Sequence, residues 1–273
     1  MYTLNCKGKL LTINRPIVMG IINITPDSFY EGSRLEGTDD ILKQAEKMLA
    51  EGAAILDIGG QSTRPGAEQM GPEEEISRVV PAIEVICRQF PEANISIDTY
   101  HATVAKAAVE AGACIVNDIS GGMMDPEMLA TVAALRVPYV CMHMQGTPTT
   151  MQQAPAYDDV TKEVLDYFIE RIDACANAGI ADVIIDPGFG FGKTIAHNFI
   201  LLKNLEVFKI LGKPVLLGIS RKSTIYKTLG VTAAEALNGT TVLNTVGLLH
   251  GANILRVHDV KEAMEAIQLV GKL

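Results

Sequence analysis

The sequence lacks the features that mark secreted disulfide-bonded proteins and membrane proteins. It has five cysteines, an odd number, and each is 27 or more residues from the next. This spacing supports neither a disulfide framework nor a structural zinc site. No apolar run approaches the roughly 18 residues of a membrane span, and the polar N-terminal segment has no signal-peptide apolar region. We therefore expect a reduced, soluble, cytoplasmic protein.

Basic residues are outnumbered by acidic ones. The 273 residues include 23 Lys and Arg against 32 Asp and Glu, which gives a formal net charge of −9 and a pI near 5.1. This balance argues against nucleic acid or an anionic membrane as the main partner. An anionic ligand would have to be captured by a local basic cluster. With 48% apolar and 20% charged residues, the composition is that of a folded globular protein.

Short apolar runs recur along the chain, and most are continuous rather than alternating. Continuous runs are typical of strands buried on both faces of a parallel sheet. The eight predicted strands are residues 17–22, 54–58, 95–97, 114–116, 139–142, 183–185, 215–217 and 253–257. Segments with helical periodicity lie between them, among them residues 41–51, 73–89, 103–111 and 160–178. Three of these helices are followed by a glycine, at Gly52, Gly112 and Gly179.

Eight strands that alternate with about eight helices predict an α/β fold, a (β/α)8 TIM barrel. The opening residues predict a short β-hairpin turned at Lys7-Gly8, placed as a plug over the N-terminal end of the barrel. A doubly wound open sheet is the main rival fold, and no motif supports it. Because the chain contains no linker or low-complexity tract, we expect a single domain over residues 1–273.

Polar residues follow the apolar runs, and their charges are segregated. Acceptors come from the second to sixth strands and cations from the last two. The residues are Asn23, Asp57, Asp98, Asn117, Asp118, His143, Asp186, Ser220, Arg221, Lys222, Arg256 and His258. In a barrel these side chains meet at one rim, where the loops after strands seven and eight often bind phosphate. Since carboxylates suit planar groups with paired N–H donors, we predict a donor-rich heterocycle carrying a phosphate or pyrophosphate.

Several of these polar residues also have a purely structural interpretation. An Asp after a strand is often an N-cap for the next helix, and Asp118 is the strongest candidate for a cap or an internal salt-bridge partner. His101, His197 and His250 are expected to be structural or surface residues. His143 is ambiguous, because it follows a strand but could simply hydrogen-bond the loop at residues 145–158.

The glycine-rich segment PGFGFGKT at residues 187–194 resembles two nucleotide-binding motifs without matching either. A phosphate-binding loop of the GxxxxGK[ST] type needs glycine where this chain has Pro187. The dinucleotide motif GxGxxG needs glycine where this chain has Lys193. The glycines instead predict close approach of the backbone to a flat ligand. A barrel metallohydrolase is excluded as well, because the first strand lacks paired metal-binding histidines.

Seven motifs in this order resemble the dihydropteroate synthase family over nearly the whole chain. They are MGIINITPDSF (19–29), LDIGGQSTRPGA (56–67), SIDT (96–99), VNDISGG (116–122), DPGFGFGKT (186–194), GISRKS (218–223) and RVHDV (256–260). Members of this family join 6-hydroxymethyl-7,8-dihydropterin pyrophosphate to 4-aminobenzoate in folate biosynthesis. One departure is Gln61, where many relatives carry Glu, and we expect it to have a modest effect on the second loop.

The resemblance implies a role for each residue that matches the family's motifs. Asp98, Lys222, Arg256 and His258 would be catalytic. The pterin would be bound by Asp98, Asn117, Met142, Asp186, Phe191, Gly218 and Lys222. Pyrophosphate would be bound by Asn23, Thr63, Arg64, Arg256 and His258, with Asn23 also a ligand of Mg²⁺. The 4-aminobenzoate would lie among Phe29, Pro65, Phe191, Lys222 and Ser223.

The resemblance also implies a homodimer and a target of sulfonamides, with no nucleic-acid or membrane partner. The apolar helix face at residues 240–249 could form the dimer contact or could simply pack on the barrel. Two other functions remain open: a pterin-binding methyltransferase that uses methyltetrahydrofolate, and a catalytically silent homologue that binds pterin. The methyltransferase would not need the SRKS and RVH segments, because it has no pyrophosphate to hold.

Overall fold

An antiparallel hairpin begins the chain, and parallel strands separated by helices follow it. The computed structural model describes residues 1–24, 34–61, 70–151 and 155–273, with backbone alone for residues 34–37. In the hairpin, β1 (Tyr2–Cys6) pairs with β2 (Lys9–Ile13). The predicted turn at Lys7 and Gly8 is confirmed, with φ values of 54° and 89°. Positive φ at both positions is typical of a two-residue hairpin turn.

Eight parallel strands follow the hairpin. They are β3 (Ile17–Asn23), β4 (Ile55–Gly59), β5 (Asn94–Asp98), β6 (Ile115–Asp118), β7 (Tyr139–Met142), β8 (Val183–Asp186), β9 (Leu216–Leu217) and β10 (Ile254–Val257). Their order in the sheet is β8-β7-β6-β5-β4-β3-β10-β9. A parallel bridge between Ile185 and Val215 joins the two ends of the sheet. The predicted (β/α)8 TIM barrel and its eight strands are therefore confirmed, and the rival open sheet is wrong.

Helices connect the strands as predicted. They are α1 (Arg34–Ala50), α2 (Pro72–Gln89), α3 (Ala102–Ala111), α4 (Met128–Leu135), α5 (Val160–Ala178), α6 (Ile195–Lys203), α7 (Ser223–Leu229), α8 (Leu237–Leu249) and α9 (Val260–Val270), with a 3-10 helix at Leu205–Leu211. The first helix begins seven residues before the predicted start because its polar opening has no apolar periodicity. Gly112 and Gly179 end α3 and α5 at φ of 128° and 94°, which favours glycine.

The hairpin covers the N-terminal end of the barrel. Leu4, Cys6 and Ile13 are buried against residues at the beginnings of the strands, which include Met19 and Ile254. The larger part of the core lies between the strands and the surrounding helices. The predicted plug is therefore confirmed, and the opposite, C-terminal ends of the strands carry the polar residues. No helix in the described part of the chain is long and apolar enough to cross a membrane.

We expect Leu4→Ala to lower the free energy of unfolding by about 2–4 kcal/mol, because it leaves a cavity beneath the barrel. Leu4 is 2% exposed. The variant should keep its activity per folded molecule, because the plug lies at the end of the barrel opposite the polar rim. Urea unfolding measures the change. Leu10→Ala on the same hairpin is the control, since Leu10 is 67% exposed, and equal losses in the two variants would contradict the plug's role.

Candidate active site

A buried arginine joins two carboxylates at the centre of the barrel. Arg256 of β10 donates from Nε to Asp57 Oδ2 at 2.6 Å and from Nη2 to Asp98 Oδ2 at 2.5 Å. Asn117 Nδ2 donates to the same Asp57 oxygen at 3.0 Å. Asp57 has no exposed surface. The end of β10 is thus connected to β4 and β5 through two carboxylates, and to β6 through the bond from Asn117 to Asp57.

Burial and neighbouring charges shift the ionisation of this group. Burial raises the pKa of Asp98 to about 7, an effect that Arg256 opposes and Asp57 reinforces. Burial alone would lower the pKa of Arg256, but the neighbouring carboxylates of Asp57 and Asp98 raise this pKa above its usual range. Oδ1 of Asp57 and Oδ1 of Asp98 are buried and have no hydrogen-bond partner among the described residues. These two oxygens can accept hydrogen bonds from a donor-rich ligand.

The other edge of Arg256 can bind an anion. A guanidinium has five N–H groups in a fixed fork, and the bonds to Asp57 and Asp98 occupy two of them. The remaining N–H groups match the geometry of a phosphate or pyrophosphate. One side chain can therefore hold the carboxylates and an anion at the same time.

A further carboxylate, Asp186, and a lysine, Lys222, lie at the ends of β8 and β9. Asp186 Oδ1 accepts from Gly188 N at 2.8 Å, and burial raises the pKa of Asp186. Lys222 Nζ donates to Phe189 O at 2.5 Å, and burial lowers the pKa of Lys222 to about 8. A Cβ atom on Gly218 would lie 3.6 Å from Asp186 Oδ2 and 4.0 Å from Lys222 Nζ. The absence of a side chain at Gly218 therefore leaves space between the two charged groups.

Apolar side chains line the space next to these groups. Met142 of β7 and Phe191 belong to one buried cluster with Tyr100, Ile119 and Met151. Lys222 Nζ lies 4.4 Å from the centre of the Phe191 ring. A flat ring bound here would contact apolar side chains on its faces and polar groups at its edges.

The described members of the predicted pyrophosphate set, Asn23, Arg256 and His258, lie at the ends of β3 and β10. His258 Nδ1 lies 3.1 Å from Ser220 Oγ, and His258 N donates to the same oxygen at 3.2 Å. A Cβ atom on Gly59 would lie 3.6 Å from Asn23 Oδ1 and 3.8 Å from Asp98 Oδ2, so these two oxygens flank Gly59. Ser223, predicted for 4-aminobenzoate, is half-buried as the first residue of α7.

Arg221, one of the two cations in the segment Ser220-Arg221-Lys222, has a structural role and does not face the site. Arg221, at φ 53°, donates from Nε and Nη2 to the two Asp259 oxygens at 2.8 Å each and also to two backbone carbonyls. Lys222, the next residue, is thus the cation of this segment that lies beside Asp186. Phe29, Thr63, Arg64 and Pro65 fall outside the described residues, so the structure does not place them.

Asp118 and the less certain histidines are structural. Asp118 is buried and accepts from Ser120 N, Gly122 N and the Tyr139 hydroxyl, so it holds the turn after β6. It is not the N-cap of the next helix, α4, whose N-cap is Glu127. His101 and His197 lie at helix N-termini, and His197 forms a capping box with Thr194. His250 ends α8.

His143 does not hydrogen-bond residues 145–158 among the described contacts. Its Nδ1 lies 2.8 Å from Lys193 Nζ. Burial, aided by the Lys193 charge, lowers the pKa of His143 to about 2, so its imidazole stays neutral.

Sequence reasoning placed Asp57 only among the rim acceptors, with no partner, and gave the buried Lys193 no role. Asp57 stands within an otherwise apolar strand, ILDIG, rather than after it. A carboxylate inside a buried strand was the signal for a partner cation, but the sequence did not show which cation. Lys193 served only to exclude a nucleotide motif, although it is 2% exposed.

Another buried carboxylate, Glu75 of α2, lies beside the strand end that carries Asp98. Thr99 Oγ1 donates to Glu75 Oε2 at 3.1 Å, and a Cβ atom on Gly60 would lie 3.1 Å from Glu75 Cγ. Burial raises the pKa of Glu75 to about 8, and the hydrogen bond from Thr99 only partly opposes this shift. At neutral pH, the Glu75 carboxyl group is therefore mostly protonated and uncharged.

We expect Glu75→Gln to increase the free energy of unfolding at pH 8 by about 1–3 kcal/mol. The pKa of Glu75 rises on folding from 4.5 to about 8. Its contribution to stability is therefore fully present below the unfolded pKa and is lost as pH rises through the folded one. Urea unfolding between pH 4.5 and 8.5 should show a smaller decline for the variant. The control is Glu73→Gln, at an exposed position in the same turn. Identical pH profiles for Glu75→Gln and the unchanged protein would contradict the prediction.

Comparison with known proteins supports the interpretation of these motifs. Residues 19–258 match the model of a family described as pterin binding enzyme. The chain is 46% identical to the dihydropteroate synthase of Escherichia coli strain K12 over 266 residues, which cover 97% of this chain and 94% of that protein.

Solved structures agree with this relationship in fold and sequence. A Yersinia pestis dihydropteroate synthase with a sulfonamide drug complex has a TM-score of 0.93 and 41% identity, over 99% of this chain and 98% of that one. A Xanthomonas albilineans dihydropteroate synthase with 4-aminobenzoic acid has a TM-score of 0.91 and 42% identity, over 99% and 97%. The chain therefore belongs to the pterin-binding enzyme family, among relatives that are dihydropteroate synthases.

Proposed function

We propose that the chain is a dihydropteroate synthase, a transferase of folate biosynthesis. It would condense 6-hydroxymethyl-7,8-dihydropterin pyrophosphate with 4-aminobenzoate to give 7,8-dihydropteroate and pyrophosphate. The observation that carries this proposal is the arrangement at the rim. Buried acceptors for a donor-rich ring, in Asp98, Asn117 and Asp186, lie next to cations suited to an anion, in Arg256 and Lys222. The family relationship supports the same reaction.

The pterin ring would bind between the apolar side chains with its donor edge toward the carboxylates. Asp186 would accept from the ring N–H and the amino group, and Asn117 and Asp98 would complete the polar contacts. Lys222 would donate to the opposite edge. Met142, Phe191 and Gly218 would flank the ring. The unpartnered Oδ1 atom of Asp98 supports this orientation, because a pterin N–H would supply the missing hydrogen bond.

Catalysis would consist of stabilising charge of both signs at adjacent positions. The bond between the pterin methylene carbon and the pyrophosphate oxygen breaks, and the leaving pyrophosphate keeps the electron pair. Arg256 and His258, with Thr63 and Arg64 on the second loop, would hold the anion. Asp98 would stabilise the positive charge that develops on the pterin. The neutral amine of 4-aminobenzoate then bonds to the carbon, and the ammonium formed loses its proton to the released pyrophosphate or to water. Since an arylamine is nucleophilic while neutral, no general base is needed to activate it.

The 4-aminobenzoate would bind at the rim outside the pterin. Phe191 and Lys222 would contact its ring, and Ser223 would receive its carboxylate. Phe29 and Pro65, from the first and second loops, would cover it. The position of Ser223 next to Lys222 supports this placement, because both follow β9.

Magnesium would be held jointly by the protein and the substrate. Asn23 Oδ1 lies at the rim beside Gly59, and Mg²⁺ prefers oxygen ligands, of which it takes one or two from the protein and others from phosphates and water. The donor type and position therefore fit. Asn23 would supply one ligand, and a bound ion would neutralise charge on the leaving pyrophosphate.

The remaining proposals concern assembly, location and inhibition. We infer a homodimer in the cytoplasm that sulfonamides inhibit by occupying the 4-aminobenzoate position. The α8 helix supports a contact surface, because Val242 and Leu249 are 52% and 54% exposed, whereas Thr240 and Leu248 pack inward.

The proposed reaction predicts that dihydropteroate forms only when both substrates and Mg²⁺ are present. Asp186→Asn should lower kcat/KM by about 10²–10³-fold, because a pterin hydrogen bond is lost at a buried carboxylate. Lys222→Met should have an effect of similar size. Product formation and pyrophosphate release are followed together by chromatography and a coupled phosphate assay.

The matched control for these variants is Lys227→Met, on the exposed side of the same helix as Ser223. It should keep full activity. Pterin binding without product would contradict the synthase and favour a silent homologue. Methyl transfer from methyltetrahydrofolate to a corrinoid protein would favour the methyltransferase.

A further inference from the structure

Lys193 is a buried lysine that the proposed reaction does not use. It lies between the glycine-rich loop after β8 and the N-cap residue of α6, Thr194. Its Nζ atom is within hydrogen-bond distance of four acceptors. They are His143 Nδ1 at 2.8 Å, His143 O at 3.3 Å, Gly188 O at 3.0 Å and Phe191 O at 3.0 Å. Burial lowers the pKa of Lys193 well below its usual value, and these partners can satisfy the N–H groups of the side chain whether it is an ammonium with three donors or a neutral amine with two.

These acceptors come from two different loops. His143 follows β7, next to Met142, whereas Gly188 and Phe191 belong to the loop after β8 that begins next to Asp186. Met142, Asp186 and Phe191 are three of the residues proposed to bind the pterin. Lys193 therefore connects the backbone segments that carry both faces of the ring site and its carboxylate.

The two loops are packed with no room to shift toward each other. A Cβ atom on Gly188, at φ 70°, would lie 1.9 Å from His143 O. A Cβ atom on Gly192, at φ 62°, would lie 2.4 Å from Gln145 O. Both positions require glycine because the backbones are in direct contact. The amine of Lys193 provides hydrogen-bond donors across this contact, where the carbonyls of both loops are buried.

The geometry points to Lys193 as a positioning residue that sets the distance between Met142 and Phe191 and so determines the fit of the pterin ring. It acts through the backbone carbonyls of Gly188, Phe191 and His143 and through the His143 ring. Loss of the amine leaves these buried acceptors without a donor, and the loops must separate to hydrate them. This inference rests on the proposed function, because the ring that fits the space is the pterin.

The test compares Lys193→Met with Lys203→Met, which removes an exposed lysine from the same region of the chain, at the end of α6. Calorimetric titration with 6-hydroxymethylpterin, which has no leaving group, measures ring binding without turnover. We expect Lys193→Met to weaken this binding by about tenfold to a hundredfold. The KM for the pterin pyrophosphate should rise, and the KM for 4-aminobenzoate should rise by less, because, of its proposed contacts, Phe191 lies on the loop that Lys193 holds whereas Ser223 lies on α7. Lys203→Met should change neither quantity.

A second variant and a spectroscopic measurement separate positioning from general loss of structure. His143→Phe removes one of the four acceptors, and we expect a smaller loss of pterin affinity in a folded protein. In ¹⁵N NMR spectra, His143 of the unchanged protein should carry its proton on Nε2, because Nδ1 accepts from Lys193.

Each outcome bears on one claim. Unchanged pterin affinity in Lys193→Met, or a proton on Nδ1 of His143, would overturn the inference while leaving the proposed reaction intact. An unchanged protein that binds 6-hydroxymethylpterin but forms no dihydropteroate would contradict the proposed function alone. An unchanged protein that does not bind the pterin would overturn both.

Discussion

The site depends on one buried positive charge, the Arg256 guanidinium, which forms ion pairs with two carboxylates at once. Asp57 and Asp98 hold its inner edge at 2.6 and 2.5 Å, and both lie on neighbouring strands of the barrel. An isolated charge of either sign at this depth would cost several kcal/mol. Removing Arg256 would leave two buried carboxylates without a cation between them. The arrangement orients the outer edge of Arg256 and keeps carboxylate oxygens at the centre of the rim.

This interaction explains why a protein with a net charge of −9 can bind an anionic substrate. The local charge balance differs from the overall one, because Arg256 of β10 and Lys222, which follows β9, lie together at the rim, with Asp186 of β8 on one side and Asp57 and Asp98 of β4 and β5 on the other. A substrate with hydrogen-bond donors on its ring and negative charge on its tail can therefore contact acceptors and cations at the same rim. Burial raises the pKa of Asp98 and Asp186 and lowers the pKa of Lys222, so each group depends on its neighbours for its charge.

The order of strands and helices could be predicted because continuous apolar runs and glycine-ended helices are local signals. The predicted strand ends located Asp98, Asn117, Asp186 and Arg256 at one rim for the same reason. The partner of each residue could not be predicted, since Arg256 and Asp57 are 199 residues apart. Lys193 was missed because its acceptors are mostly backbone carbonyls, which have no sequence signature. The sequence likewise did not show which of Arg221 and Lys222 faces the site. The structure shows this, because Arg221 is paired with Asp259.

Arg256 should keep its inner edge on the carboxylates while its outer edge binds the leaving group. This can be seen in a crystal structure of the protein with 6-hydroxymethylpterin, inorganic pyrophosphate and Mg²⁺. We expect Arg256 Nε to stay within hydrogen-bond distance of Asp57 Oδ2, and the remaining N–H groups of the guanidinium to contact pyrophosphate oxygens. Pyrophosphate bound away from Arg256, or an Arg256 side chain that has left both carboxylates, would contradict this expectation.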